Sequence, residues 1–152
     1  EAVQGGAGAR QRRTGSLGQG LQRAGLHGGC EHGVCGACRV RGDGRAVRSC
    51  MQLAVECDGA KIGTVEGLAP DGVLNVLQQA FHRHHALQCG FCTAGILMSA
   101  TQFLAVNPDP TQDEVKAMLS GHICRCTGYY PIVAAILDAA DKYTKPNLKE
   151  TP

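Results

Sequence analysis

Nine cysteines in a chain of 152 residues constrain the fold more than any other feature of the sequence. Such a density indicates disulfide bonds, metal ligation, or both. The beginning of the sequence has no apolar stretch typical of a secretory signal, and the residues after Arg12-Arg13 are too polar for a twin-arginine signal. No run approaches the ~18 apolar residues of a membrane span. We therefore predict a cytoplasmic protein with metal-binding cysteines, for which any membrane association would come through a complex.

The composition bounds the size and the core of the protein. A chain of 152 residues suffices for one ordinary domain or two small ones. Hydrophobic residues make up 43% of it but aromatic residues only 4%, so we expect a core of small aliphatic side chains and, with 21 glycines, much loop. The formal net charge is +2, and a basic cluster lies only in the first two dozen residues. This charge pattern shows no nucleic-acid footprint.

The first group of cysteines has the spacing Cys-x4-Cys-x2-Cys-x11-Cys, which is the plant-type [2Fe–2S] pattern. Three thiolates come from one tight loop and the fourth from a distant return strand, whereas zinc sites usually pair two short units. Gly29, Gly33 and Gly36 suit such a loop, because glycine tolerates positive φ and lets backbone N–H groups approach the sulfurs. The predicted ligands of this first cluster are Cys30, Cys35, Cys38 and Cys50.

The second group combines Cys-x2-Cys with Cys-x-Cys, a pattern that alone fits zinc as well as iron. An anionic cluster is favoured by position, since Cys92 opens a predicted helix whose N–H groups and dipole stabilise negative charge. Cys57 has no partner at ligand spacing, and we expect it to be a small buried hydrophobic residue. The predicted ligands of the second cluster are Cys89, Cys92, Cys124 and Cys126.

Turn residues divide the first half of the chain. Residues 1–26 have no hydrophobic period, and we expect an atypical, poorly ordered segment there. A hairpin is predicted from residues 39–41 and 45–47 around the turn Gly42-Asp43-Gly44, with a further strand over residues 60–65. Glycines 67 and 72 then mark a boundary. The sequence therefore predicts a cluster-binding domain over residues 27–69.

After this boundary the hydrophobic period becomes helical, and we predict four short amphipathic helices in residues 70–144, followed by a tail over residues 145–152. Thr111 and Glu114 form a capping box, and Pro131 stands in a first turn. Short helices with brief loops indicate a bundle that brings the second cysteine group to one end. The predicted helical stretches are Val73–Phe81, Ile96–Leu104, Thr111–Gly121 and Pro131–Ala140.

Five motifs, in this order, resemble those of the small iron–sulfur subunits of xanthine oxidase-type molybdenum hydroxylases, which include aerobic carbon monoxide dehydrogenase. The resemblance spans about Gly28 to Tyr143. It implies an α+β fold, with a plant-ferredoxin-like β-grasp domain followed by a four-helix bundle, each carrying one [2Fe–2S] cluster. The motifs are Gly29–Cys38, Arg48–Cys50, Thr64–Leu68, Gln88–Thr93 and Cys124–Tyr129.

The resemblance also implies a function as an oxidoreductase subunit that is inactive on substrate when alone. Electrons would pass from a large molybdopterin-binding subunit through the second cluster and then the first to a medium FAD-binding subunit. The complex would be a heterotrimer or a dimer of heterotrimers. Gln88 and Cys126 would contact the pterin.

Two departures from the family stand out, and two rival functions remain open. Residues 1–27 do not match the family's opening hairpin and helix, and Ala94 stands where many relatives have proline. The first rival is a free-standing two-cluster electron carrier of the ferredoxin type. The second rival is a zinc-stabilised interaction module.

Overall fold

A computed structural model describes residues 25–143 of the chain. The predictions for residues 1–24, for residue 144 and for the tail over residues 145–152 lie outside these residues. Within them a small β-sheet precedes four α-helices, so the mixture of strands and helices in the expected α+β fold is confirmed, whereas its arrangement as a β-grasp domain and a bundle stays a prediction. The elements are β1 (Arg39–Gly42), β2 (Arg45–Arg48), β3 (Ile62–Gly63), α1 (Val76–Arg83), α2 (Thr93–Val106), α3 (Gln112–Leu119) and α4 (Tyr130–Ala140).

The sheet is antiparallel, with the strand order β2-β1-β3. Its hairpin is the predicted one, since Gly42 pairs with Arg45 across a turn in which Asp43 and Gly44 both have positive φ. The third strand is shorter than predicted. It ends at Gly63, because the chain enters a 3-10 helix over Val65–Leu68.

The first helix begins three residues later than its apolar stripe suggests. Val73 and Leu74 are exposed and lie before α1, which starts at Val76. The Asn75 side chain accepts the N–H of Gln78, and the Gln78 side chain accepts the N–H of Asn75, both at 2.9 Å. This capping box fixes the start of the helix and excludes the two preceding apolar residues from it.

The third and fourth helices have the predicted starts. Glu114 N–H donates to Thr111 Oγ1 at 3.3 Å, and Thr111 N–H donates to Glu114 Oε2 at 2.7 Å, so the predicted capping box at α3 is confirmed. Pro131 lies in the first turn of α4, as predicted. The third helix ends at Leu119, two residues before the predicted Gly121.

Two hydrophobic clusters of very different size stabilise the described residues. The larger one draws buried side chains from all four helices, as their 3.6-residue period requires. The smaller one consists of Leu26, Cys38, Val40 and Cys50 beneath the sheet, with Val47 and Ile62 packed against it. Central members of the larger cluster are Leu77, Phe81, Ile96, Leu104, Val115, Leu119, Ile132 and Ile136.

The sheet region and the helical region are in direct contact. Helix α2 packs against β1 and β2. A Cβ atom placed on Gly95 of α2 would lie 2.2 Å from the carbonyl oxygen of Gly36, so only glycine allows this approach. Gln102 also accepts the N–H of Ala46 at 2.7 Å. The division between residues 69 and 70 into separate domains stays a prediction.

None of the helices described between residues 25 and 143 has the length and apolarity needed to cross a bilayer.

Candidate metal centres

The first group of cysteines lies on the predicted loop and, for Cys50, in a short 3-10 helix over Ser49–Met51 that follows β2. Gly33 and Gly36 have φ values of +82° and +75°, which confirms the need for glycine at these positions. Cys38 and Cys50 are buried in the small hydrophobic cluster, whereas Cys30 and Cys35 are partly exposed. The loop therefore presents two sulfurs inward and two nearer the surface.

Backbone N–H groups surround the sulfur of Cys30. The N–H groups of Val34 and Cys35 both donate to its Sγ at 3.3 Å. Hydrogen bonds from the backbone of Cys35 and His32 lower the pKa of Cys30 to about 6. Burial and a hydrogen bond with the Cys38 thiol raise the pKa of Cys50 to about 11. The thiol of Cys35 also lowers the pKa of Cys30, so the sulfurs of this quartet influence one another's ionisation.

The second group of cysteines meets at the ends of helices. Cys92 is the N-cap residue of α2, and Cys124 and Cys126 lie between α3 and α4. The Sγ atoms of Cys89 and Cys126 are 3.4 Å apart. The thiols of Cys92 and Cys124 also influence each other's ionisation. Cys92 and Cys124 are buried, whereas Cys89 and Cys126 are exposed.

The environments of these four sulfurs shift their pKa values in opposite directions. Burial, followed by the hydrogen bond with Cys124, raises the pKa of Cys92 to about 12. Burial also opposes ionisation of Cys124, but hydrogen bonds from Thr127 and Cys126 outweigh it and lower the pKa of that thiol. The backbone N–H of Phe91 lowers the pKa of Cys89. Since metal binds the thiolate form, a metal would have to displace the proton from Cys92 on binding.

The spacing of the sulfurs suits a pair of metal ions. Two thiolates on one tetrahedral metal, with bonds of about 2.3 Å, lie about 3.8 Å apart, close to the 3.4 Å between Cys89 and Cys126. A [2Fe–2S] cluster has two irons, each with two protein ligands, and so needs two such pairs of sulfurs. Within residues 25–143, no group of three or more Cys, His, Asp or Glu side chains is gathered around a single point suited to one metal ion. None of the eight sulfurs, all in the described part of the chain, forms a disulfide.

Gln88 lies beside the exposed pair of the second group. Its Nε2 donates to the carbonyl oxygen of Cys126 at 3.1 Å, and the side chain is exposed. The structure thus places Gln88 and Cys126 together on the surface. Cys57 belongs to neither group of contacting sulfurs: it is buried, as predicted, and its thiol lies 3.7 Å from Gln52 Oε1.

Sequence reasoning missed the contacts of two side chains near the second group. Buried His122 contacts Ser99 Oγ through Nε2 at 2.9 Å, and burial together with Arg39 and Arg48 lowers its pKa to about 4. The phenol oxygen of Tyr129 accepts the N–H of Cys124 at 2.9 Å. His122 carries no sequence signal of this role. Tyr129 lies inside a recognised motif, but its contact depends on tertiary structure.

Comparison with known proteins places the chain in a family. The profile of the [2Fe–2S] binding domain family matches residues 64–137. The chain is 62% identical to the nicotine 6-hydroxylase small subunit of Paenarthrobacter nicotinovorans over 119 residues, covering 78% of this chain and 72% of that one. It is 53% identical to caffeine dehydrogenase subunit gamma of Pseudomonas sp. (strain CBB1) over 119 residues, covering 76% and 71%.

Solved structures give the same result for the fold. Quinoline 2-oxidoreductase from Pseudomonas putida 86 superposes with a TM-score of 0.82 at 49% identity, covering 88% of this chain and 83% of that one. The chain therefore belongs to the small iron–sulfur subunits of the xanthine oxidase-type molybdenum hydroxylases. It is an oxidoreductase subunit with an electron-transfer role, and a free-standing carrier is not favoured.

Proposed function

We propose that this chain carries electrons one at a time from a molybdenum site in a large molybdopterin-binding subunit to a medium FAD-binding subunit. The complex is a heterotrimer or a dimer of heterotrimers. The observation that carries the proposal is the presence of two cysteine quartets joined by a short backbone contact: the N–H of Ile123 donates to the carbonyl oxygen of Cys35 at 3.0 Å. Cys35 belongs to the first quartet, and Ile123 directly precedes Cys124 of the second.

Each quartet is proposed to hold one [2Fe–2S] cluster. A bound [2Fe–2S] cluster supplies a one-electron carrier, and two in series can join a two-electron oxidation to a two-electron flavin. The first cluster is assigned to Cys30, Cys35, Cys38 and Cys50, and the second to Cys89, Cys92, Cys124 and Cys126. Support comes from the N–H groups that donate to Cys30 Sγ in the first quartet and from the 3.4 Å between the Sγ atoms of Cys89 and Cys126 in the second.

The protein groups around the sulfurs are suited to negative charge. The N–H groups of Val34 and Cys35 point at Cys30 Sγ, where they stabilise a thiolate. Cys92 caps the 14-residue helix α2, whose unpaired N–H groups and dipole stabilise negative charge at that end. These interactions favour an anionic cluster over a neutral site.

The exposed face of the second quartet is proposed to contact the large subunit. Cys89, Cys126 and Gln88 are all exposed there, and Leu87 and Phe91 beside them are apolar side chains open to solvent. An amide such as that of Gln88 can hydrogen-bond the polar edge of a pterin while staying fixed to Cys126 O. We assign the pterin contact to Gln88 and Cys126.

A separate exposed face, at the first quartet, is proposed to meet the FAD-binding subunit. Val34, Met51 and Leu53 are exposed apolar residues close in sequence to Cys35 and Cys50. Exposed apolar clusters of this kind are typical of protein interfaces. The two faces would thus give the electron an entrance and an exit on different subunits.

The substrate of the complex is proposed to be an aromatic nitrogen heterocycle. The relatives described above act, by their names, on nicotine, caffeine and quinoline, all of which contain such a ring. This proposal concerns the large subunit, because substrate chemistry takes place there.

The cluster assignment is tested by metal analysis and EPR of the purified full chain. We expect about four irons and about four acid-labile sulfides per chain, and two distinct rhombic [2Fe–2S] signals after reduction with dithionite. Zinc without iron would establish the zinc module instead. A single EPR signal would remove one of the two quartets from the proposal.

Partners and substrate are tested on the native complex. Affinity purification through this chain should recover one molybdopterin-bearing and one FAD-bearing subunit, and the complex should reduce a dye with quinoline or nicotine as donor. A chain that purifies alone would contradict the subunit arrangement. A complex that oxidises only aldehydes would contradict the substrate class.

A further inference from the structure

Thr127 lies three residues before the start of α4 and contacts a sulfur of the second quartet. Its Oγ1 is 3.0 Å from Cys124 Sγ. The N–H of Tyr129 donates to the same Oγ1 at 3.1 Å. One hydroxyl therefore joins a sulfur on one side to a backbone donor on the other.

These contacts fix the direction of the hydrogen bond to sulfur. A threonine hydroxyl has one proton to donate and lone pairs that accept. A cysteine that binds metal does so as a thiolate, which can only accept. Since Oγ1 already accepts the N–H of Tyr129, its own proton is available to Cys124 Sγ, and Thr127 is the donor.

Tyr129 holds this arrangement in place. Its backbone has φ +67°, a left-handed conformation that residues other than glycine adopt rarely. Its phenol oxygen accepts the N–H of Cys124 at 2.9 Å and donates to the carbonyl oxygen of His122 at 3.2 Å. The loop from residue 122 to 129 is thus closed by hydrogen bonds at both ends, and the hydroxyl of Thr127 keeps one position.

We propose that Thr127 sets the reduction potential of the second cluster, by donating a hydrogen bond from its hydroxyl to the thiolate of Cys124. Reduction adds negative charge to the cluster, and a donor to sulfur stabilises the reduced form more than the oxidised form. Thr127 is a positioning and tuning residue rather than a ligand. The inference rests on the proposed function, in which Cys124 is a cluster ligand.

The test is an EPR-monitored redox titration of the full chain. Thr127→Val removes the hydroxyl at nearly constant shape. The midpoint potential of the second cluster should fall by up to about 59 mV, which corresponds to a tenfold change in the one-electron reduction equilibrium. Thr127→Ser keeps the hydroxyl and should stay near the wild-type value. The first cluster should not change in either variant.

Thr93→Val is the matched control. Thr93 adjoins Cys92, and within residues 25–143 its buried Oγ1 has no hydrogen-bond partner, so its loss should leave both potentials unchanged. An unchanged potential in Thr127→Val, or equal shifts in the valine and serine variants, would overturn the inference. Thr127→Ala removes the hydroxyl with less bulk and guards against a packing defect. If both hydroxyl-free variants lost the second signal while the first remained, Thr127 would be required for loading, and the tuning role would be refuted.

The wild-type spectrum separates this inference from the proposed function. Absence of a second [2Fe–2S] signal in the unmodified chain would refute the cluster assignment itself. Two wild-type signals with no response to Thr127 would refute only the tuning role.

Discussion

The two cysteine quartets differ in what holds them. The first lies on a glycine loop above a small hydrophobic cluster, and backbone N–H groups are the donors to Cys30. The second lies at helix ends, with Cys92 and Cys124 in the large cluster that all four helices share. The sulfur of Cys124 contacts the side-chain hydroxyl of Thr127. One group of four thiols is thus positioned by local chain geometry, and the other by helix packing.

The two sites therefore depend on different features of the structure. A loop with backbone donors depends on φ values that only a few residues can adopt, so its integrity is a local property. A site at helix ends depends on distant apolar side chains that bring the ends together. Substitutions should therefore damage the two quartets independently.

The largest effect is expected from removing one ligand in either quartet. Cys38→Ser should abolish only the first EPR signal, and Cys92→Ser only the second, because each cluster needs its own four thiolates. Iron content should fall by about half in both variants. Cys57→Ala is the control and should keep both signals. Loss of both signals from a single substitution would show that the quartets are not independent.

Core substitutions should distinguish the two kinds of support. Ile136→Ala in the large cluster should lower the free energy of unfolding by about 2–5 kcal/mol and loosen the second cluster first. Val40 packs beside Cys38 and Cys50, so Val40→Ala should act on the first cluster. It should lower the free energy of unfolding by roughly 1.6 kcal/mol before any cavity contribution. Urea unfolding followed by circular dichroism and by cluster absorbance measures both. Simultaneous bleaching of both clusters in both variants would contradict separate support.

Gly95→Ala tests the contact between the two regions. The new Cβ would meet the Gly36 carbonyl at 2.2 Å, so we expect a loss of about 1–3 kcal/mol, although alanine is normally the better helix former. Gly67→Ala is the control, since its Cβ meets nothing within 4 Å. Thermal unfolding compares the two variants. Equal stability would mean that the regions can separate without strain.

The cap of α3 should contribute less. Thr111→Ala removes the acceptor for the Glu114 N–H and should lower the free energy of unfolding by about 1 kcal/mol. Thr111→Ser keeps the acceptor and should restore most of it. Since α3 contributes to the large cluster, any effect on EPR should appear in the second signal. Denaturant midpoints of the two variants measure the difference.

The smallest effect is expected at Asp138, which contacts Arg83 at 2.6 Å, His84 at 3.0 Å and Lys142 at 3.2 Å. Hydrogen bonds from Arg83, His84 and Lys142 hold the pKa of Asp138 well below its usual range. A lowered carboxyl pKa stabilises the fold above the unfolded-state value of about 3.9, and this contribution is lost as the pH falls further. Asp138→Asn should cost less than about 1 kcal/mol at pH 7 in urea unfolding. A difference that grew on acidification would have the wrong sign.

Local signals made much of this molecule predictable. The hairpin around Asp43-Gly44 and the capping box of Thr111 and Glu114 each depend on residues close in sequence, and both are confirmed. The predicted start of α1 was wrong, because it followed the apolar stripe from Val73 rather than the cap at Asn75.

The contacts around the second quartet could not be predicted in the same way. The spacing of Cys89, Cys92, Cys124 and Cys126 left zinc and iron open, since its two halves meet only through helix packing. The pairing of His122 with Ser99 joins residues 23 positions apart. No local pattern reports such a contact, whereas the first quartet lies mostly within one loop.

The approach of Gly95 to the Gly36 carbonyl also bears on the timescale of motion between the two cysteine loops. Exposed side chains change rotamer in picoseconds to nanoseconds, whereas packed backbone elements shift collectively in microseconds to milliseconds. Because the backbones of Gly95 and Gly36 approach each other with no side chain between them, we expect fast rotamer changes to have little effect on their separation. On the proposed cluster assignment, we expect the separation of the two clusters to change only with slower movements of the whole helix α2.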